Sequence, residues 1–563
     1  GRGDNNLSTL TLNDSNAANT HVYDGRIENR TTAAFIAITK AGAATQVFRG
    51  VNSYSGPTTI SGGTLEIGGA GQLGAGIYTG IVDVVSAPTQ SSPGSTLKFN
   101  STANQTLRTS GTNDVRGAGT LVKENTGTLT LESTITAGHA FSGNITINGG
   151  TLIGLSAVNG SGGQPALGSR VNSRTFTINN GGTLQFNSGN ILSSSHTGTT
   201  APTLVINSGG TVTNGGTATN NALNNIELNG GTLTSTTGHT SSSAPFAPLY
   251  GAYNINGSVT STGSSTISTS DPVKGWIMMK VAGDQITNFN VVSGTLTVSA
   301  PLGQDNDNNN VGGLNKSGTG TMVMSGVNFY TGATTVSAGT LALVGGSHQS
   351  PITVNANASL AFTLGSPTTS TSTFSLSGGT IKITGVPTLP SYDLITSSGG
   401  ISGTLALDPP VPGYQLQVQG NSLKLVEAAG YAGWASTNAI GSAANLDKDG
   451  DGVNNAVEYV LGGDVNTNDL GKLPTLNASG ANFVFSFRRS RASLDGNTTV
   501  VIEVGNNLTG WPDVFTVGTT TANSSAGVTV TENSPDGFDT ITLTVAKGTA
   551  PTKFGRLKVT VTE

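Results

Sequence analysis

Cysteine is absent from all 563 residues, which excludes disulfide staples, thiolate metal sites and a cysteine nucleophile. Charge is scarce as well. Only 10% of the chain is Asp, Glu, Lys or Arg, where about a quarter is ordinary. The 25 basic and 30 acidic residues leave a net charge of −5, so phosphate-driven binding of nucleic acid, which needs clustered basic residues, is not expected. Aromatic residues make up 5% of the chain. No stretch reaches the roughly eighteen apolar residues of a membrane helix, and no membrane insertion is expected. No basic, apolar leader opens the chain, so any export signal is expected outside these residues.

In place of these stand 81 glycines, about 14% of the chain and about twice the usual share. Ser, Thr and Asn supply the polarity. That is the composition of a strand-rich, turn-rich chain rather than of a charged disordered one.

Self-similarity is the main signal. The segment from Gly50 through Asn52, Tyr54, Gly56, Thr58, Thr59 and Gly63 to Leu65 aligns without gaps on Gly326 through Asn328, Tyr330, Gly332, Thr334, Thr335 and Gly339 to Leu341. A shorter core, apolar then polar then Gly-Gly-Thr-Leu, recurs at 147–152, 178–184, 228–233 and 376–381, with looser copies at 206–212, 292–296 and 401–405. Taking Gly150, Gly182, Gly210 and Gly231 as markers gives spacings of 32, 28 and 21 residues. Each core reads as a short strand, a glycine turn with positive φ, and a second strand opening Thr-Leu. A unit this small buries no core alone, so coils stack and pair. Residues 8–425, in coils of roughly 25 residues, would give a stack on the order of 80 Å long. Val, Ile and Leu alternating with Thr, Ser and Asn place apolar residues inward, and parallel stacking then aligns Thr and Asn in ladders.

The motif Gly-x-Asn-x-Tyr-(Ser/Thr)-Gly-x-Thr-Thr-(Ile/Val)-x-x-Gly-Thr-Leu resembles the autotransporter-associated β-strand repeat of large bacterial surface proteins, with a third copy from Phe141 to Leu152. The resemblance implies a right-handed parallel β-helix and a secreted, cell-surface location. The many alternating strands of a membrane barrel are missing after residue 430.

Near residue 430 the composition changes. Trp434 to Leu446 is Ala-rich with helical character, and Asp447-Lys448-Asp449-Gly450-Asp451-Gly452-Val453-Asn454-Asn455-Ala456-Val457-Glu458 follows the twelve-residue calcium loop. In that pattern Asp447, Asp449 and Asp451 offer carboxylate ligands, Val453 its carbonyl, Asn455 a direct or water-bridged contact, and Glu458 the closing bidentate carboxylate. Ala456 to Leu461 is expected to be a short helix ended by Gly462-Gly463. One loop, not a pair, points to a structural calcium ion clamping the joint before the last domain. The competing reading is an Asp-Gly-rich turn.

From about residue 480, alternating runs at 483–487, 499–504, 528–531, 540–545 and 556–561 read as a small antiparallel sandwich. The loop, the Glu-Tyr-x-Leu-Gly helix end and the final Phe554-Gly555-Arg556-Leu557-Lys558-Val559 resemble the terminal region of secreted repeat proteins of Verrucomicrobia and related bacteria.

The expected fold is therefore all-β: a right-handed parallel β-helix over 1–428, a helix–calcium-loop–helix linker over 429–475, and a β-sandwich over 476–563. Enzyme activity is not expected. His21, His139, His196, His239 and His348 share no motif, and neither a Gly-x-Ser-x-Gly elbow between strand and helix nor a phosphate loop is present. Polysaccharide cleavage would need carboxylates clustered on adjacent coils; the densest acidic run, Asp305-Asn306-Asp307, reads as an exposed loop. Arg2-Gly3-Asp4 matches an integrin tripeptide by chance. The strand-like Leu7 to Leu12, with no capping helix before it, leads to the functional expectation: a subunit of an extracellular filament or surface layer, assembling head to tail with itself. The alternative is a monomeric adhesin that binds polysaccharide or other cells.

Overall fold

The computed structural model describes residues 7–561 except 32–33, 86–93, 158–164, 193–199, 216–219, 238–250, 274, 280–285, 305–310, 345–347, 439–442, 534–535 and 550–551. The Arg-Gly-Asp tripeptide, the 305–310 run, His196 and His239 lie outside the described residues. The chain divides into two compact units. One holds 1–385, 394–406 and 420–422, and the other holds 386–393, 407–419 and 423–563.

The first unit is built of parallel ladders. One sheet has sixteen strands, running from Thr20–Tyr23 to Ile401–Gly403, and a second has thirteen, from Ile77–Tyr78 to Thr380–Thr384. Sixteen strands at about 4.8 Å per step give a stack of about 70 Å. This is the solenoid that the repeat implies. Further strands in a five-stranded and a four-stranded sheet, contributed by some of the coils, were not legible in the two-strand repeat core. Inside, one apolar residue per coil stacks on the next: Leu129, Leu152, Leu184, Val212 and Leu233 are paired in sequence and are all fully buried.

The repeated motif is explained by the corner it forms. Asn52 accepts from the Ile27 amide (2.9 Å) and donates to the carbonyls of Gly50 and Gln72 (2.8 and 3.3 Å). Asn328 likewise accepts from Leu302 and donates to Gly326. The buried hydroxyls of Tyr54 and Tyr330 bond Thr58 and Thr334, four residues on, at 2.8 and 2.7 Å. A Cβ at Gly56 would lie 2.3 Å from the Ile36 carbonyl oxygen, and one at Gly332 the same distance from that of Gly312; only glycine lets neighbouring coils approach so closely. The motif is a property of the corner, not of one sheet. Thr58–Ile60 lies in the five-stranded sheet, whereas its equivalent Thr334–Val336 lies in the sixteen-stranded one.

Outward-facing polar residues form the expected ladders. Asn148, Asn179, Asn207 and Asn229 stand on successive coils, each later amide donating to the oxygen of the one before (2.7, 2.6 and 3.1 Å). Asn148 in turn donates to Glu124 at 3.2 Å. An ionised carboxylate only accepts, so Glu124 sets the direction in which every amide of the column points. The column continues as Glu124–Lys98–Glu66, with Lys98 2.8 and 3.4 Å from its partners.

In the second unit, helix α1 is Gly430–Thr437 and α2 is Asn455–Leu461. α1 starts four residues earlier and ends sooner than the Ala-rich run implied. Antiparallel strands form a four-stranded sheet, Thr475–Asn477, Asn482–Ser490, Phe538–Ala546 and Val528–Asn533 in spatial order, and a three-stranded sheet, Asp513–Thr516, Thr498–Gly505 and Phe554–Val561. Phe483, Phe485, Phe487, Ile502, Val504, Ile541 and Leu543 share one core with Tyr431, Ala435, Tyr459 and Val460 of the two helices. The segment expected as a separate linker over 429–475 is thus packed into the same core as the strands over 476–563. Within that core Arg489 and Asp539 pair at 2.8 Å, both almost fully buried.

Candidate metal centre

The loop that enters α2 is folded by its own backbone amides. Asp447 accepts through Oδ1 from Gly450 (2.8 Å) and Asp451 (3.2 Å), and through Oδ2 from Gly452 (2.7 Å). Asp449 Oδ1 also accepts from the Asp451 amide, and Asp451 Oδ1 from that of Val453 at 2.8 Å. Gly450 and Gly452 adopt φ of +79° and +94°, left-handed conformations that cost a Cβ-bearing residue energy. Asn454 caps α2 by accepting from the Val457 amide at 3.0 Å. Gly462, at φ +67°, ends the helix with its amide on the carbonyls of Glu458 and Tyr459.

This folding converges three carboxylates. One oxygen each of Asp447, Asp449 and Asp451 lies within 4.8 Å of the others. Hydrogen bonds from the Gly452 and other loop amides hold Asp447 below the ordinary carboxylate range, whereas burial and the neighbouring charges of Asp451 and Asp447 raise Asp449. Glu458 stands outside that trio, on α2, at 1% exposure. Among the described residues neither of its oxygens has a hydrogen-bond partner. Burial first, then the charges of Asp449, Asp451, Asp469 and Asp447, push its pKa up to about 7. Asn455 donates to the Ala443 carbonyl (3.0 Å), while its buried Oδ1 has no partner among the described residues. Val453 is buried beside the loop. The donor set is therefore all oxygen, with two buried side chains carrying unused acceptors. That fits a hard divalent cation of calcium's size, which takes six to eight oxygens.

The motif reading missed Asp469. Its backbone amide donates to Asp451 Oδ2 at 2.6 Å, and its side chain is 6% exposed. The signal was present as the Asx-rich run Asp464-Val465-Asn466-Thr467-Asn468-Asp469.

Buried lysines in the first unit were also missed. Lys40, Lys123 and Lys316 are at most 2% exposed, and each ammonium donates to three carbonyls at a coil corner. Lys40 bonds Ala41, Gly42 and Gly62. Lys123 bonds Glu124, Asn125 and Gly149. Lys316 bonds Ser317, Gly318 and Ala338. These are structural ties between successive coils. Of the histidines, His139 and His348 are buried and depressed to about 4 by that burial, and His21 lies 2.7 Å from Asp14.

The passenger-associated-transport-repeat family matches the chain at 38–67, 121–153 and 314–343. Each matched segment carries one of the three buried lysines at its third residue. The chain thus carries repeats of the autotransporter passenger type. No curated protein and no solved structure matches it.

Proposed function

We propose that the chain is a structural part of a secreted bacterial surface protein, a solenoid that assembles head to tail with further copies of itself, and that its second unit binds calcium. The passenger-type repeats support the surface location. Assembly is supported by the parallel ladders of the first unit, in which each strand pairs with its neighbour at one pitch; a second copy carries strands of that same pitch, which suits it to strand addition. A head-to-tail contact of this kind does not close on itself, so it propagates as a filament.

The calcium reading rests on one observation, the pair of unpartnered, buried oxygens of Glu458 on the helix that follows three converged aspartates, whose charges act on it. Asp447, Asp449, Asp451, the Val453 carbonyl, Asn455 and Glu458 would hold the ion. When bound, it would offset the clustered negative charge and tie the entry loop to α2. Electron microscopy of the purified chain in millimolar calcium, and again with chelator, tests the assembly. Filaments are expected, and single particles at high concentration would overturn it. Calorimetric titration with calcium tests the site.

A second reading, polysaccharide adhesion without polymerisation, is favoured by one feature of the first unit. An open cleft across four successive rows of the stack is lined by His348, Ser370, Thr371, Thr396, Ser397 and Asn421, a surface of hydroxyl and amide groups suited to a polyhydroxylated ligand. Single particles that bind a glycan array, and lose that binding with Asn421→Ala, would favour this reading.

A further inference from the structure

The second unit contains an aromatic cleft apart from the loop that enters α2. Its volume is about 470 Å³, and Tyr414, Glu427, Trp434, Thr437 and Tyr459 line it; small-molecule sites span roughly 300–1,000 Å³. The start of α1 builds it. Gly430 enters the helix at φ +70°, and a Cβ at Gly433 would lie 1.9 Å from the Ala428 carbonyl oxygen, so the chain turns tightly between Glu427 and Trp434 and brings both to one cleft. The indole of Trp434 packs on the core, with its ring centroid 5.7 Å from that of Tyr431 and 5.4 Å from that of Tyr459, yet it stays half-buried.

The polar groups of the cleft are unevenly spent. The Tyr414 hydroxyl donates to the Leu389 carbonyl (2.9 Å), and that of Tyr459 bonds Ala492 and Asp495, so both phenols have used their donors and keep their rings and oxygen lone pairs. Glu427 is exposed and, among the described residues, has neither a hydrogen bond nor an ion pair through its carboxylate. Asp495 adds a second negative charge nearby, since a Cβ at Gly430, another lining residue, would lie 2.8 Å from its Oδ2. No lysine or arginine lines the cleft among the described residues. Lys424, on the strand that ends at Glu427, pairs with Asp393 at 2.9 Å, and Arg491, next to Ala492, with Glu532 and Asp539 at 3.4 and 3.8 Å. Electron-rich rings beside an unbalanced carboxylate suit a cation that also carries carbon, because aromatic faces attract such a charge and cover its apolar surface. A sugar would call on donors that the two phenols have already committed.

We propose that this cleft binds a small organic ammonium ion, its carbon skeleton against Trp434 and Tyr414 and its charge beside Glu427. The site depends on neither the assembly nor the calcium reading.

The test is a ligand-observed NMR titration of the full chain with choline and with cadaverine, and with the neutral carbon isostere of choline as the uncharged control. At least one of the two cations should bind, with the isostere roughly tenfold weaker or worse. Glu427→Gln, at an exposed and unpaired position, should weaken the cation by roughly tenfold and leave the thermal transition of the second unit unchanged. Trp434→Phe keeps a ring against the core and should weaken it about two- to threefold. Binding of neither cation overturns the proposal. Equal binding of the isostere overturns the role of charge, and cation binding that survives both Glu427→Gln and Trp434→Phe places the ligand elsewhere and overturns the assignment of the cleft.

Discussion

Replacing Lys316 by Met should locally loosen the coil that carries it. The ammonium of Lys316, at 0% exposure, donates to the carbonyls of Ser317 (2.9 Å), Gly318 (2.9 Å) and Ala338 (3.0 Å). Two of these belong to its own corner and the third to the next coil. Met fills much the same volume but donates nothing, so three carbonyls lose their partner. A buried polar group left unsatisfied costs about 1–3 kcal/mol. Water reaching the corner and the relief of no longer burying a charge offset part of this, and the net is about 3 kcal/mol. In a stack whose coils touch only their neighbours, such a loss stays local. Hydrogen exchange read by mass spectrometry should therefore show deprotection across 313–343, including the Ser337 amide that bonds the Lys316 carbonyl at 2.8 Å, while 128–156 keeps its wild-type protection. Lys98→Met serves as the control, because Lys98 bridges Glu66 and Glu124 on a more exposed face, and such pairs contribute about 0–1 kcal/mol. Equal protection of 313–343 in Lys316→Met and wild type would refute the reasoning, as would a loss spread evenly over the stack.

Asn207→Ala removes the 2.6 Å bond to Asn179 and the 3.1 Å bond from Asn229; about 1–2 kcal/mol of stability should be lost, read by denaturant unfolding of the first unit's transition. Asn207→Asp should cost more, since the carboxylate would face the Asn179 oxygen and Glu124 holds the column's amides in one direction. The buried imidazoles predict acid sensitivity. His139 and His348 have folded pKa values of about 4, below the unfolded value, so their stability is fully present above about pH 6.5 and is lost as pH falls toward 4, by about 3 kcal/mol each. His348→Gln should remove its share of that slope, and a pH profile unchanged from wild type would contradict the assignment. For Glu458 the sign is opposite: its cation-free pKa is raised to about 7, so chelated protein should be more stable at pH 5 than at pH 7.5. Calcium should reverse that order and Glu458→Gln should abolish both effects, as followed by the thermal transition of the second unit.

The solenoid was legible because its repeat is a list of physical constraints. Gly56 and Gly332 stand where a Cβ would meet a neighbouring carbonyl. Asn52 and Asn328 each accept from a backbone amide of an adjacent coil. Neither can change without opening the corner, so the sequence repeats visibly. The additional strand that some coils carry was not legible, because short segments such as Asn221–Leu223 and Ile277–Met279 are buried on both faces and lack the alternation that marks a strand. The lysines escaped for a related reason. A charged residue in an alternating strand reads as outward-facing, whereas Lys40, Lys123 and Lys316 point inward and end on backbone oxygens that no side-chain pattern reveals.

The candidate centre shows the same division between local and distant information. A twelve-residue pattern encodes what one loop does, and the convergence of Asp447, Asp449 and Asp451 is written in the spacing of that loop. Asp469 is brought in by the turn after α2, where Gly462 reverses the chain at φ +67° and Gly463 leaves no room for a side chain between Glu458 and Asp469. That turn also explains why the two helices do not form an independent linker. Tyr459, one residue past Glu458, places its hydroxyl on the Ala492 carbonyl (2.6 Å) and on Asp495 (2.9 Å) and its ring against Tyr431 and Trp434. The residue that offers its carboxylate to the pocket and the residue that anchors α2 in the shared core are adjacent on one short helix. If an ion binds at Glu458 as proposed, it would act on the packing of the whole second unit, and removing it should lower that unit's transition as one cooperative step rather than fray a loop.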